Sequence, residues 1–173
     1  SRCLLPSIYR FINSFCAAQF ERSLLHFSSR GAMDIEGMGE SVVAQLVKLK
    51  LVKNFSDIYK LDRKDLAKLE LFKEKKIDNL LSAIQKSKER PLSRLIFALG
   101  IRHVGEKAAY VLAQKFITLD KLAQAKSEEL DSIYEIGSVM AESVRDYFSQ
   151  GQTKDLLREL KNSGLNFKEA PAY

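Results

Sequence analysis

Tryptophan is absent from these 173 residues, and proline, cysteine and glycine occur only three, two and eight times. Two cysteines, Cys3 and Cys16, are too few for a disulfide framework and point to a reducing compartment. No apolar run approaches the roughly 20 residues that a membrane span needs. Ser1 to Ala17 lacks a charged start followed by a sustained apolar core, so no signal peptide is expected. The chain begins without Met and is expected to be part of something longer. Scarce proline and glycine leave long stretches free to form helices. The formal net charge of +6 is modestly basic; it is compatible with a nucleic-acid partner without requiring one.

What is present is a repeat. Ile101-Arg102-His103-Val104-Gly105-Glu106-Lys107-Ala108 sets an apolar residue, a tight turn closed by glycine, and the start of an apolar-periodic helix. Ile35-Glu36-Gly37-Met38-Gly39-Glu40, Leu69-Glu70-Leu71-Phe72-Lys73-Glu74 and Ile133-Tyr134-Glu135-Ile136-Gly137-Ser138 align with it. The leading residues fall at 35, 69, 101 and 133, in steps of 34, 32 and 32. A near-constant period of this size signals repeated supersecondary units. The expected fold is therefore all-α: four tandem units of helix, hairpin and helix, arranged as two pairs.

The turn has the form apolar-x-Gly-apolar-Gly, with the glycines partly replaced. Glycine there permits positive φ and close approach of another backbone. The helix that follows opens with free amide groups and the positive end of its dipole. Such an end binds phosphate without a side chain. The hairpin thus reads as a grip on a nucleic-acid backbone, which positions a protein without reading sequence. Two paired hairpins would hold both strands across the minor groove, where the backbones lie only about 6 Å apart. The competing reading is a helical interaction scaffold with degenerate hairpins. A third is a DNA-binding module of another repair enzyme.

In chain order, residues 1–15 are irregular and 16–27 form a helix face with Phe20, Leu24, Leu25 and Phe27. Ser56 is expected to cap a short helix, Asp62 another over 63–69, and Ser127 a third over 127–133. The long helices are expected over 74–88, 92–99, 106–116, 138–149 and 153–163. Glu89-Arg90-Pro91 is the internal boundary, since proline restricts the residue before it. The divisions are 1–27, 28–90 for the first hairpin pair, 91–165 for the second, and a mobile tail over 166–173.

With the hairpins in place, a family resemblance follows. Arg30-Gly31-Ala32-Met33-Asp34-Ile35-Glu36-Gly37-Met38-Gly39-Glu40 and Phe97-Ala98-Leu99-Gly100-Ile101-Arg102-His103-Val104-Gly105-Glu106 resemble the helix-hairpin-helix region of bacterial NAD-dependent DNA ligases. Tyr9-Arg10-Phe11-Ile12-Asn13-Ser14-Phe15-Cys16-Ala17-Ala18-Gln19 resembles the end of the small zinc finger before it. The resemblance covers nearly the whole chain. It implies a non-sequence-specific DNA-binding portion of an enzyme that seals nicks in replication and repair, using NAD. It also implies a bacterial, cytoplasmic, nucleoid-associated protein. The partners it implies are nicked duplex DNA and the nucleotidyltransferase and OB domains of the same enzyme. The family's catalytic Lys-x-Asp-Gly motif does not occur here, so no residue is assigned a catalytic role and this stretch alone should not ligate.

The departures matter. The family's zinc finger has four cysteines in two pairs; Cys16 matches the last and Cys3 the first, while Pro6 and Phe11 stand at the partner positions. With His26 as a speculative third ligand, the zinc set is incomplete, so segment 1–27 is only zinc-finger-like. Lys73 replaces the closing glycine of the second hairpin and offers a direct phosphate contact; Glu135 replaces the first glycine of the fourth and would repel one. The candidate DNA-binding residues are Gly37, Gly39, Lys73, Lys75, Lys76, Arg102, His103, Gly105, Lys107, Gly137 and Ser138. The cluster Lys73, Lys75 and Lys76 is equally readable as a solvated helix face, and His103 as a solvent-facing turn residue; Lys86, Lys88 and Arg90 are read as a solvated face. The first and third hairpins are expected to grip best.

Overall fold

A computed structural model describes residues 14–169, with side chains from 17 onward. Ten α-helices follow one another among the described residues, without a named strand. They are α1 (Ser14–Ser28), α2 (Glu40–Lys48), α3 (Arg63–Leu66), α4 (Glu74–Ser87), α5 (Leu92–Ala98), α6 (Glu106–Phe116), α7 (Leu119–Ala123), α8 (Ser127–Asp131), α9 (Ser138–Ser149) and α10 (Gly151–Asn162). A 3-10 helix, Phe55–Lys60, lies between α2 and α3. The all-α expectation holds.

The repeat is visible in what each unit buries. The leading residues Ile35, Leu69, Ile101 and Ile133 are all buried. Eight residues later stand Val43, Ile77, Ala109 and Ala141, and eleven later Leu46, Leu80, Leu112 and Val144, all again buried. The second set lies a helical turn beyond the first, so each long helix turns one stripe inward. These positions join one continuous core, which runs from Leu24 and Phe27 of α1 to Phe167. Phe27 stacks on Phe55 with ring centroids 4.6 Å apart, so α1 is packed with the hairpin units rather than apart from them.

Several helix starts differ from the sequence expectation. Asp62 caps α3 as anticipated: its carboxylate accepts from the Asp65 amide at 2.9 Å. The 3-10 helix is capped by Asn54, whose side-chain oxygen accepts from the Asp57 amide at 3.1 Å. Ser56 is instead buried and donates to Glu159 Oε2 at 2.6 Å, 103 residues away. Lys126 precedes α8, and Glu129 Oε1 accepts from its amide at 3.2 Å; Ser127 is already inside the helix. In both places a serine was expected to cap on local grounds, and a neighbour with equal access to the free amides took the role.

The segment at the expected boundary is a junction. Arg90 donates through Nε to the Met33 carbonyl at 3.0 Å and through Nη2 to the Asp34 carbonyl at 3.2 Å, with the Asp34 carboxylate 3.8 Å away. It is therefore no solvated-face residue. The chain end is also held as far as it is described. The Leu92 amide donates to the Lys168 carbonyl at 3.1 Å, Leu119 to Phe167 at 2.9 Å, and Glu169 to Ile117 at 2.8 Å. The expected mobility from 166 onward thus fails for 166–169, because Phe167 is a core residue and its neighbours supply backbone bonds to two helices.

Truncating a repeated core position should be costly. Leu80→Ala is expected to destabilise the chain by about 2–5 kcal/mol in denaturant unfolding.

Three groups should shape the pH dependence of stability: Glu159, Tyr59 and Tyr147, the last held above its usual value by burial. The Ser56 hydroxyl, followed by the Lys60 ammonium, holds the Glu159 carboxyl below its usual value. That contribution is full above the ordinary carboxylate pKa and is lost as pH falls through the depressed one. Burial pushes the Tyr59 hydroxyl up to about 12, against the opposing hydrogen bond from Ser87. That contribution is lost as pH rises from the unfolded value of about 10 towards the folded one. Ser56→Ala should flatten the acid limb of Tm against pH, and Tyr59→Phe the alkaline limb.

Candidate nucleic-acid interface

Each hairpin buries its first apolar residue and turns the next two outward. Ile101 is buried, Arg102 and His103 are exposed, Val104 is buried, and Gly105 to Lys107 are exposed. The same order recurs from Ile35, Leu69 and Ile133, with Phe72 half-buried where the others are buried. In three of the four the turn is tied by an amide-to-carbonyl bond: Met38 to Ile35 at 3.4 Å, Val104 to Ile101 at 3.0 Å, Ile136 to Ile133 at 3.0 Å. The closing residue then starts the helix, its carbonyl accepting from the fourth residue on at 2.9–3.0 Å in all four.

The turn's two glycine positions do different jobs. The third residue is left-handed in three hairpins: Gly37 at φ 94°, Leu71 at 57° and His103 at 71°. Glu135 is not among the positive-φ residues, so the fourth hairpin turns without that conformation. The closing residues Gly39, Lys73, Gly105 and Gly137 all have φ between −75° and −91° and ψ near 180°. Any residue adopts that backbone, so the positive φ that glycine permits is used at the third position and not at the closing one. Space inside the chain does not require glycine either. A Cβ built on Gly39, Gly105 or Gly137 meets nothing within 4 Å.

All eleven candidate residues lie on the surface. Each of Gly39, Lys73, Gly105 and Gly137 sits at the N-terminus of a helix of nine residues or more with no side-chain cap. The first-turn amides are therefore left for an outside acceptor. His103 occupies the strained left-handed position of its turn. Lys76 Nζ reaches back to the Leu71 carbonyl at 3.5 Å, so that lysine leans onto its own hairpin. The first two hairpins are neighbours: Gly37, Gly39, Leu71 and Phe72 line one open groove of about 1060 Å³. Across it the Glu70 amide donates to Gln45 Oε1 at 2.6 Å. The carboxylates of Asp34, Glu36 and Glu40 stand along the first hairpin's side.

The zinc residues fare differently. Cys3 lies outside the described residues, as does the side chain of Cys16. His26 places Nε2 2.7 Å from the Phe97 carbonyl and its ring edge-on to the Phe97 ring. It is held there by a helix of the second half of the chain. No group of three or more metal-ligating side chains occurs among the described residues. Arg90, which fixes the loop entering the first hairpin, was missed as a site residue. Its position beside Pro91 carried no signal of a contact 56 residues away.

The turns, their uncapped helix starts and the all-α core define a helix-hairpin-helix protein, and residues 94–157 match the helix-hairpin-helix motif family. The chain is 49% identical over 157 residues to a DNA ligase of Anoxybacillus flavithermus. It is 48% identical over 159 residues to one of Bacillus cereus, and 45% over 159 to one of Acidobacterium capsulatum. These matches take in 91–92% of this chain but only 23–24% of the ligases. The chain belongs, as a portion, with the bacterial DNA ligases.

The division of roles between the two glycines is open to measurement. Gly37→Ala forces a side chain into φ 94° and should cost about 1–2 kcal/mol. Gly105→Ala should leave the unfolding midpoint within about 0.5 kcal/mol of the parent, since its new Cβ meets only solvent.

Proposed function

We propose that this chain is the part of an NAD-dependent DNA ligase that grips the sugar-phosphate backbone of duplex DNA, without sequence preference. The carrying observation is the room left at the closing glycines. Gly39, Gly105 and Gly137 are spared a side chain where the fold would accept one. Glycine at such a place serves a close approach from outside. What approaches the N-terminus of an uncapped helix most favourably is an anion. The identity to proteins named DNA ligase supports reading that anion as a DNA phosphate.

The third hairpin is the strongest grip on this reading. Arg102 and Lys107 flank its amides, whereas the first has Glu36 in place of Arg102 and Ser41 in place of Lys107; both helices open on a glutamate, Glu40 and Glu106. Lys73 replaces a backbone approach with a charged side chain at the second. Paired hairpins would meet the two strands across the minor groove at a nick. The nucleotidyltransferase and OB domains of the enzyme would supply the adenylation by NAD and the joining. No residue here is assigned to that chemistry, and no step passes through zinc. A bacterial cytoplasmic, nucleoid-associated setting in replication and repair goes with this reading, and no helix among the described residues is long and apolar enough to cross a membrane.

The test is fluorescence anisotropy of a labelled nicked duplex, titrated with the chain at several salt concentrations. Binding should weaken steeply with salt and be similar across unrelated sequences, because phosphate contacts release counterions. Gly105→Asp should weaken it by roughly tenfold and lower the salt slope by about one phosphate contact, with Tm unchanged. No binding at low salt, or full binding by Gly105→Asp, would overturn the proposal.

A further inference from the structure

Tyr134 is 98% exposed, more than any other large apolar residue among those described. It is the first outward residue of the fourth hairpin. The same position holds Glu36, Glu70 and Arg102 in the other three, so this is the one aromatic tip. Val139, 61% exposed, stands five residues on, in the first turn of α9. Between them lie the buried Ile136, the open closing residue Gly137 and Ser138. The inward face of α9 is complete without Val139: Ala141, Val144 and Phe148 are its buried positions. An aromatic ring and a branched aliphatic chain thus flank an uncapped helix start, and neither is used by the fold.

An apolar pair left in water beside an anion-binding amide cluster suits a partner with phosphate and apolar surface side by side. The DNA backbone has both, since each phosphate is joined to a deoxyribose whose carbon face borders the minor groove. The fourth hairpin, like the first, has no cationic side chain to offer. Glu135 points a carboxylate outward at the position where the third hairpin carries His103, and no lysine or arginine lies from 133 to 144. Beyond its uncapped helix start, its grip must therefore draw on something other than charge.

We propose that Tyr134 and Val139 form an apolar contact with the deoxyribose and base edges of duplex DNA, so that the fourth hairpin holds the minor groove by packing. This rests on the DNA-gripping reading above and deepens it. An aromatic ring has only two rotatable bonds to fix and a large area to bury. Apolar side chains at minor-groove interfaces pack against sugars and wedge at base steps, and a tyrosine face stacks on bases without regard to sequence. A protein partner seated on the same patch is the alternative that the experiment excludes.

The experiment compares Tyr134→Ala, Tyr134→Phe and Gly105→Asp in the salt-titrated anisotropy assay, using the same chain and nicked duplex. Tyr134→Ala is expected to bind about tenfold more weakly (about 1.4 kcal/mol), with the salt slope of the parent, because no ion is released at an apolar contact. Tyr134→Phe should bind like the parent. All three should keep the parent Tm, Tyr134 being free of the core. Parent-like binding by Tyr134→Ala, while Gly105→Asp is weakened, would overturn this inference and leave the phosphate grip standing. A change of salt slope in Tyr134→Ala would equally overturn packing as its role. Absence of binding by the parent chain would remove both.

Discussion

Everything outward in this molecule depends on four apolar side chains that go inward. Ile35, Leu69, Ile101 and Ile133 are drawn into the core, and the next buried position falls three residues on in three of the four turns. A chain that buries residues three apart, with a tight turn between them, must show the two in the middle to solvent. It must also emerge from the turn heading into a new helix, since the positions eight and eleven later are buried again. Roughly 1.5–3 kcal/mol for each fully buried aliphatic side chain holds the turn in place. The hairpin's exposed backbone is thus positioned mainly by hydrophobic burial, with one turn-closing backbone bond in three of the four.

Burial sets all four turns on one shared core. A few long-range polar contacts add to that core in fixing the relation between turns. Arg90 joins the end of the α4 unit to the Met33 and Asp34 carbonyls, which enter the first hairpin. Ser56 and Lys60 join the 3-10 helix to Glu159 on α10. The segment 165–169 lies across Lys88, Leu92, Ile117 and Leu119 through backbone bonds. The first ties the two hairpins of one pair, the second ties the first half of the chain to the second, and the third ties the last segment to both. A surface meant to match a second rigid body benefits from such ties, because less conformational freedom remains to be lost on binding.

The period, the helical class and the inward stripes were legible because burial follows spacing, and spacing is written along the chain. Val43, Ile77, Ala109 and Ala141 share one register whatever their size. The caps were less legible. Ser56 and Ser127 are good cap residues by type, yet Asn54 and the Lys126–Glu129 pair took those ends. Adjacent residues of similar propensity compete for the same amides, and the tertiary position of Ser56 beside Glu159 decided one case. Arg90 was illegible for a plainer reason: its partners lie 56 and 57 residues away. The tip residues were found correctly as surface, while the reason for their glycines was only half right. Positive φ belongs to the third position, and the closing position is glycine in spite of an undemanding backbone.

That last distinction shows what the repeat leaves free to vary. At the third position φ is demanding, yet Leu71 and His103 adopt it; the core holds the turn firmly enough to impose a conformation costing about 1–2 kcal/mol on a residue with a side chain. At the closing position nothing is demanded, yet glycine fills three of four. A fold under pressure from stability alone would place its glycines the other way round. The arrangement makes sense if the tips answer to an outside partner while the core answers to the chain. It also explains how four near-identical scaffolds carry unlike surfaces. The first carries Glu36 where the third carries Arg102, the second carries Lys73 and an exposed Leu71, the third adds Lys107 to Arg102, and the fourth is apolar at Tyr134 and Val139. Because the anchors carry the energy, the two outward residues of each turn can change without threatening the fold, and a grip can be assembled from unequal contacts on equal supports.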